Sequence, residues 1–189
     1  MKKLRNIIIL VAVLLVAGAH SADAQKVSLS SNLITWANLG TANLEGSISV
    51  HKNVTVFAGA NYNPWEMRTI SEVPLSNKQI TGFVGAKYWP WHVYSGWWFG
   101  AKAQFKDFDT AGLISQNLIS GQALGAGLSA GYSIMIGSHV NLDLGIGAWG
   151  GRVLKYTSYK DIGGYEVDKV GARNFIFIDS VIVAFAYIF

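Results

Sequence analysis

From Gln25 onward the chain alternates apolar with small or polar residues at a period of two, and no stretch sustains helical spacing. The clearest run is Asn141 to Trp149, where Leu142, Leu144, Ile146 and Ala148 alternate with Asn141, Asp143, Gly145 and Gly147. Between Ala123 and Ile136, Leu124, Ala126, Leu128, Ala130, Tyr132 and Ile134 alternate with Gly125, Gly127, Ser129, Gly131 and Ser133. Successive side chains of a strand point to opposite faces, so each run has one apolar face and one small, polar face. The pattern predicts eight strands, at about 27–36, 41–50, 54–64, 79–89, 97–107, 121–136, 140–153 and 174–189. Short turns at 51–53, 90–96 and 137–139 alternate with longer connections at 65–78, 108–120 and 154–173, and the short first connection, 37–40, is the exception. Strands of ~9–11 residues cross a bilayer at a tilt. The fold class expected is therefore all-β, an eight-stranded antiparallel transmembrane β-barrel of the outer-membrane type, with both termini on the side of the short turns.

A soluble barrel also alternates, but with its apolar face inward and a charged face outward. Here the polar face is built from Gly, Ser, Ala and Asn, and the chain is 51% hydrophobic and 14% charged. Such a face suits the narrow lumen of an eight-stranded barrel better than it suits water. The apolar face is expected to end in two aromatic levels, Trp36, Trp65 and Trp149 at one end and Trp89, Trp91, Trp97 and Phe189 at the other. Indole and phenol rings settle at headgroup boundaries, so these residues are the candidate membrane-interface girdle.

The first residues supply a leader. Lys2, Lys3 and Arg5 precede an apolar run from Ile7 to Ala17, and Ala22-Asp23-Ala24 gives a small-x-small cleavage pattern. Residues 1–24 are expected to be a cleaved signal peptide, leaving 25–189 as one barrel domain. Removing them leaves 12 basic against 10 acidic residues, a formal +2, where the full chain has 15 against 11. The high isoelectric point thus gives no reason to expect nucleic acid. There is no cysteine, hence no disulfide and no lipid attachment through a thiol.

In the last strand Val181, Val183, Phe185, Tyr187 and Phe189 alternate with Ile182, Ala184, Ala186 and Ile188. This resembles the closing strand of bacterial outer-membrane barrels, whose terminal Phe and alternate aromatics are read by the barrel assembly machinery. The resemblance makes Phe185, Tyr187 and Phe189 an assembly signal. More broadly, the chain resembles an uncharacterised family of small bacterial outer-membrane barrels often encoded near fimbrial genes. The residues that carry this are Asn32-Leu33, Leu44-Glu45-Gly46, Asn61 to Trp65, Ala86 to Trp89, Gly125 to Tyr132 and Tyr187-Ile188-Phe189. Lys87 stands where that family usually has arginine, which removes a bidentate contact. The resemblance implies outer-membrane lipid, the assembly machinery and a surface or fimbrial protein as partners. It implies no activity.

Small barrels that act on outer-leaflet lipid or surface proteins need a nucleophile or activated water, usually with a histidine. Past the leader only His51, His92 and His139 remain, each in a short turn at the end opposite the long connections. No catalytic residue is assigned on this basis, no metal site is assigned because the three have no local ligand spacing, and no cofactor is expected. Gly145-Ile-Gly-Ala-Trp-Gly150 matches a dinucleotide-binding string but lies inside a strand, where that motif needs a strand-to-helix turn. The informative polar residues are Glu45, Lys87, Lys102 and Asp143, each on a small, polar face. Two acids and two bases in a lumen can neutralise one another, so an interior polar network is expected, with Asn32, Asn61, Gln104 and Asn141 as further members. A narrow ion path through the same charges is the alternative. The function expected is thus non-enzymatic, structural or surface-interacting, with the long connections as contact surface.

Overall fold

The computed structural model describes residues 27–67, 75–111, 118–161 and 165–189. The expected leader, 1–24, lies outside them. The elements in chain order are β1 (Val27–Asn32), α1 (Leu33–Ala37), β2 (Ala42–His51), β3 (Val54–Asn63), the two-residue β4 (Glu66–Met67), β5 (Leu75–Tyr88), β6 (Gly96–Ala111), β7 (Leu118–Met135), β8 (Val140–Asp161) and β9 (Tyr165–Ile188). No helix among the described residues is long and apolar enough to cross a membrane.

Every ladder is antiparallel and joins strands in the order β3-β2-β1-β9-β8-β7-β6-β5, and β3 pairs with β5 from Val54↔Tyr88 to Asn63↔Gln79, which closes the ring. The result is a closed eight-stranded barrel, with β4 a short side pairing on β5. Closure removes the free edges that an open sheet of this apolar character would expose.

Several boundaries differ from the sequence reading. Strand β1 stops at Asn32, because the Asn32 side chain accepts from the Ile34 N–H at 3.1 Å and starts a helical turn. Trp36 therefore sits on α1, not at a strand end. On the other side of the barrel, β8 and β9 stay paired up to Asp161↔Tyr165, so much of the expected connection 154–173 is strand. Likewise β5 to β7 run beyond their expected ends into 75–78, 108–111 and 118–120. The wall is uneven, six residues tall at β1 and 24 at β9.

The faces are inside out relative to a water-soluble barrel. Leu44, Ile48, Val84, Leu128, Ile146 and Ile178 are exposed on the outer face, whereas Ser30, Ser47, Thr55, Thr81, Gln104 and Asn141 are buried within. The exposed aromatics fall at the two ends. Trp91, Trp97, Tyr187 and Phe189 mark the end that carries the short turns, and Trp36, Tyr62 and Trp65 mark the other. Trp89 and Trp149 break the expectation: they are 1% and 3% exposed and point inward, so neither belongs to an exterior girdle. The reason is the strand period itself. Trp89 lies two residues from the inward Lys87, and Trp149 two residues from Gly147, on the face of Asp143.

Candidate functional site

The lumen has a floor and, above it, a cavity. The floor is made by the turn after β5, which folds up into the barrel instead of lying across its mouth. Trp89, Val93 and Tyr94 from this turn pack with Trp98 of β6 and Ile188 of β9. Trp98 is fully buried, as expected of a residue closing the lumen from below, and Trp89 meets Tyr94 edge-on at 5.8 Å between centroids. Tyr94 reaches this position with φ of +63°, in the left-handed region that a bulky residue rarely occupies. Its surroundings hold it there: Ser47 Oγ donates to its hydroxyl at 3.2 Å, and Asn141 Nδ2 donates to its carbonyl. The Trp89 indole donates to Thr55 Oγ1 at 3.1 Å. Gly131 and Gly145, paired across β7 and β8, leave the slot that Trp98 fills, since a Cβ at either would come within 2.4 and 2.9 Å of its indole.

Directly above lies the charged layer. Lys87 Nζ is 2.6 Å from Glu45 Oε1, and it stands 5.1 and 5.0 Å from the ring centroids of Phe57 and Trp98. The lysine thus joins the floor by cation–π contact and the wall by an ion pair. Asp143 accepts from Ser133 Oγ at 2.5 Å, and Ser133 accepts from Asn141 Nδ2 at 3.0 Å. A chain of hydrogen bonds thereby connects the Tyr94 carbonyl to the Asp143 carboxylate.

A cavity of about 250 Å³ extends from this layer toward α1. All four residues expected in the interior network, Glu45, Lys87, Lys102 and Asp143, line it. The structure brings Glu45 and Lys87 into contact and sets Lys102 higher, with its ammonium 5.7 Å from the Phe83 ring. Asn32, Asn61 and Gln104 also line the cavity, and Asn141 belongs to the floor instead. Trp149 forms part of the cavity wall, packed against Phe175 at 4.6 Å with Ala123 and Val153 behind it.

Several contributors escaped the sequence reading. Tyr94, Thr55, Ser133 and Asn43 are among them. Asn43 is the most instructive, because its side chain copies a strand: Nδ2 donates to the Asn32 carbonyl at 2.9 Å and Oδ1 accepts from the Asn32 N–H at 2.6 Å. Its position two residues before Glu45 on the inward face was the available signal.

The histidines lie away from this cavity. His139 stacks on Tyr187 at 5.8 Å, His92 Nδ1 is 3.0 Å from the Val93 carbonyl, and His51 is the exposed last residue of β2. Phe185, Tyr187 and Phe189 are exposed along the outer face of β9, with Tyr187 edge-on to Phe189 at 4.8 Å. Among the described residues no group of three or more His, Cys, Asp or Glu side chains could hold a metal ion.

No curated protein and no solved structure matches the chain. A family model does, over residues 8–189, nearly the whole length, and the chain belongs to that family, described as Protein of unknown function (DUF3575).

Proposed function

We propose that this protein is an integral outer-membrane barrel with a non-enzymatic role, presenting its tall β6–β9 wall outside the cell as a platform for a surface partner. The observation that carries the reading is the inverted distribution of side chains over a closed ring, polar within and apolar without. A band of exposed Leu, Ile, Val and Phe around the outer face is costly in water and suited to hydrocarbon. The aromatic levels at the two ends support the same placement. Export by the leader at 1–24 and folding through the signal at Phe185, Tyr187 and Phe189 complete the route, with outer-membrane lipid and the barrel assembly machinery as obligatory partners.

The floor of Trp89, Tyr94 and Trp98 supports a barrel that does not conduct. These rings are buried and packed together below the cavity, and that packing is the reason for reading the barrel as closed at the turn end.

The surface partner we propose is a component of a fimbrial or other appendage assembly. A photocrosslinking residue at Lys155 or Arg173, both exposed on the extension of the β8–β9 hairpin, tests this in intact cells. Capture of an appendage subunit is expected. Recovery of lipopolysaccharide adducts alone, with appendages assembling normally in a deletion strain, would overturn the partner while leaving the barrel intact.

A further inference from the structure

The wall is interrupted above β1, and the interruption leaves a strand edge uncovered. Strand β1 pairs with β9 only from Ser28↔Ile188 to Asn32↔Ala184. Two side-chain bonds carry the ladder one step further: Asn32 Nδ2 donates to the Val181 carbonyl at 3.0 Å, and the Val183 N–H donates to Asn32 Oδ1 at 3.1 Å. Beyond Val181, β9 runs on to Tyr165, and among the described residues its only ladder there is with β8. The opposite edge of the tall wall is treated differently. Where β5 runs past its pairing with β3, the short β4 covers it through Met67↔Leu75 and Glu66↔Ser76. One tall edge is thus met by a strand of the same chain, and the other is not.

The bonds lower in β9 show which backbone groups face the uncovered side. The Val183 N–H points to Asn32, whereas the Ile188 N–H donates to the His139 carbonyl, so there odd-numbered residues face β1 and even-numbered ones face β8. The register with β8 then shifts by one, from Ser180↔Gly147 to Ile178↔Ala148, and the two sets exchange sides. Asn174, Ile176 and Ile178 therefore turn their N–H and C=O groups toward the uncovered side, along roughly 17 Å of strand at ~3.3 Å per residue. Their side chains belong to the outer face, where Ile176 and Ile178 are 85% and 65% exposed. On the membrane reading, lipid borders these residues, and acyl chains offer nothing to a backbone donor or acceptor. A helix cannot serve either, because its own backbone groups are bonded internally. An extended backbone presents donors and acceptors at the matching spacing.

We propose that the β9 edge from Asn174 to Ile178 binds an extended segment of the surface partner, which joins the sheet as an added strand and sets alternate apolar side chains beside Ile176 and Ile178. This rests on the reading of the tall wall as a partner platform in the membrane, and it deepens that reading by naming the part recognised and the conformation it selects. Main-chain bonds give such a contact its affinity, and the alternate side chains give it selectivity.

The test uses the full barrel in uncharged detergent micelles and a short fluorescent peptide of alternating Val and Thr, with barrel-free micelles as the blank. Binding is expected by anisotropy. N-methylation of one alternate set of peptide nitrogens deletes the donors of one edge and should weaken binding at least about ten-fold, whereas methylation of the other set should change it less than about two-fold. Equal effects of the two sets, or no binding of the unmodified peptide, would overturn the added strand. On the barrel, Ile176→Pro removes a donor from the uncovered side alone, so the heat-shifted folded band should persist while the peptide is lost, and Ile176→Val should retain it. Binding that survives Ile176→Pro would overturn the site, and the methylated peptides on the wild type keep the test independent of that variant's folding. In intact cells, a photocrosslinking residue at Asn174 distinguishes the occupants. Adducts with an appendage subunit that vanish with Ile176→Pro are expected; adducts confined to this chain, within one copy or between two, would overturn the partner strand. Peptide binding by a barrel recovered outside the membrane fraction would count against the membrane reading alone.

Discussion

Asn32 shows how much one side chain can decide. The same oxygen caps α1 at the Ile34 N–H and accepts from Val183, while the amide nitrogen donates to Val181. Replacing it with alanine would remove the helix cap and both substitute rungs together, a loss of about 1–2 kcal/mol. Asn32→Ala is therefore expected to lower the temperature at which the folded band disappears on a gel, and Asn32→Asp, which keeps both acceptor roles, to lower it less. Lys87 gives a second prediction at this scale. Lys87→Met would leave Glu45 largely buried without its cation, costing about 3 kcal/mol. Glu45→Gln with Lys87→Met should recover part of that loss in urea unfolding from micelles, because the uncompensated charge is gone. Equal stability of the single and double variants would show that the pair contributes nothing beyond packing.

At the scale of elements, the turn from Trp89 to Ser95 acts as a plug, and the slot at Gly131 and Gly145 receives Trp98. A methyl group at Gly131 would also sit 2.2 Å from the Leu144 carbonyl, so neither the ring nor the backbone can yield cheaply. Gly131→Ala is expected to destabilise the barrel by about 1–3 kcal/mol, measured as a fall in the same gel midpoint. Removing the rings tests the plug itself. Wild-type protein in planar bilayers should be silent, and Tyr94→Ala with Trp98→Ala should give discrete openings; steady conductance by the wild type would contradict the plug. The sequence told much about the walls and little about this turn. Period two located β2 and β3 to within a residue, since the two strands meet at one tight turn and pair along almost their whole length. It could not tell that the residues after Pro90 turn inward, because that depends on Tyr94 adopting a left-handed backbone held by Asn141, 47 residues away. Trp89 and Trp149 were legible in principle: strict alternation with Lys87 and Asp143 puts them inside, and reading them by residue type put them outside.

For the molecule as a whole, an inverted barrel follows from how the side chains must be shared. A ring of eight strands is too narrow for large polar groups on every inward position, so Gly and Ser fill the lumen and the few long side chains pair or stack. The outer face then carries the apolar residues, and water is a poor solvent for it. The interior charges were recoverable from their alternation with Leu and Ile, whereas the interrupted wall at β1 was not, because Leu33, Ile34 and Trp36 read equally well as a strand. The height of β8 and β9 was likewise hidden, since Lys155, Lys160, Asp161 and Glu166 give the look of a solvated loop to what is paired strand. All of these features serve one claim, that the outer face meets lipid. The most direct measurement is fractionation of cells expressing the full chain, followed by electrophoresis with and without boiling. The account predicts recovery in the outer-membrane fraction, resistance to salt and alkaline extraction, and faster migration of the unboiled form; release as a freely soluble protein with no heat-dependent shift would contradict it.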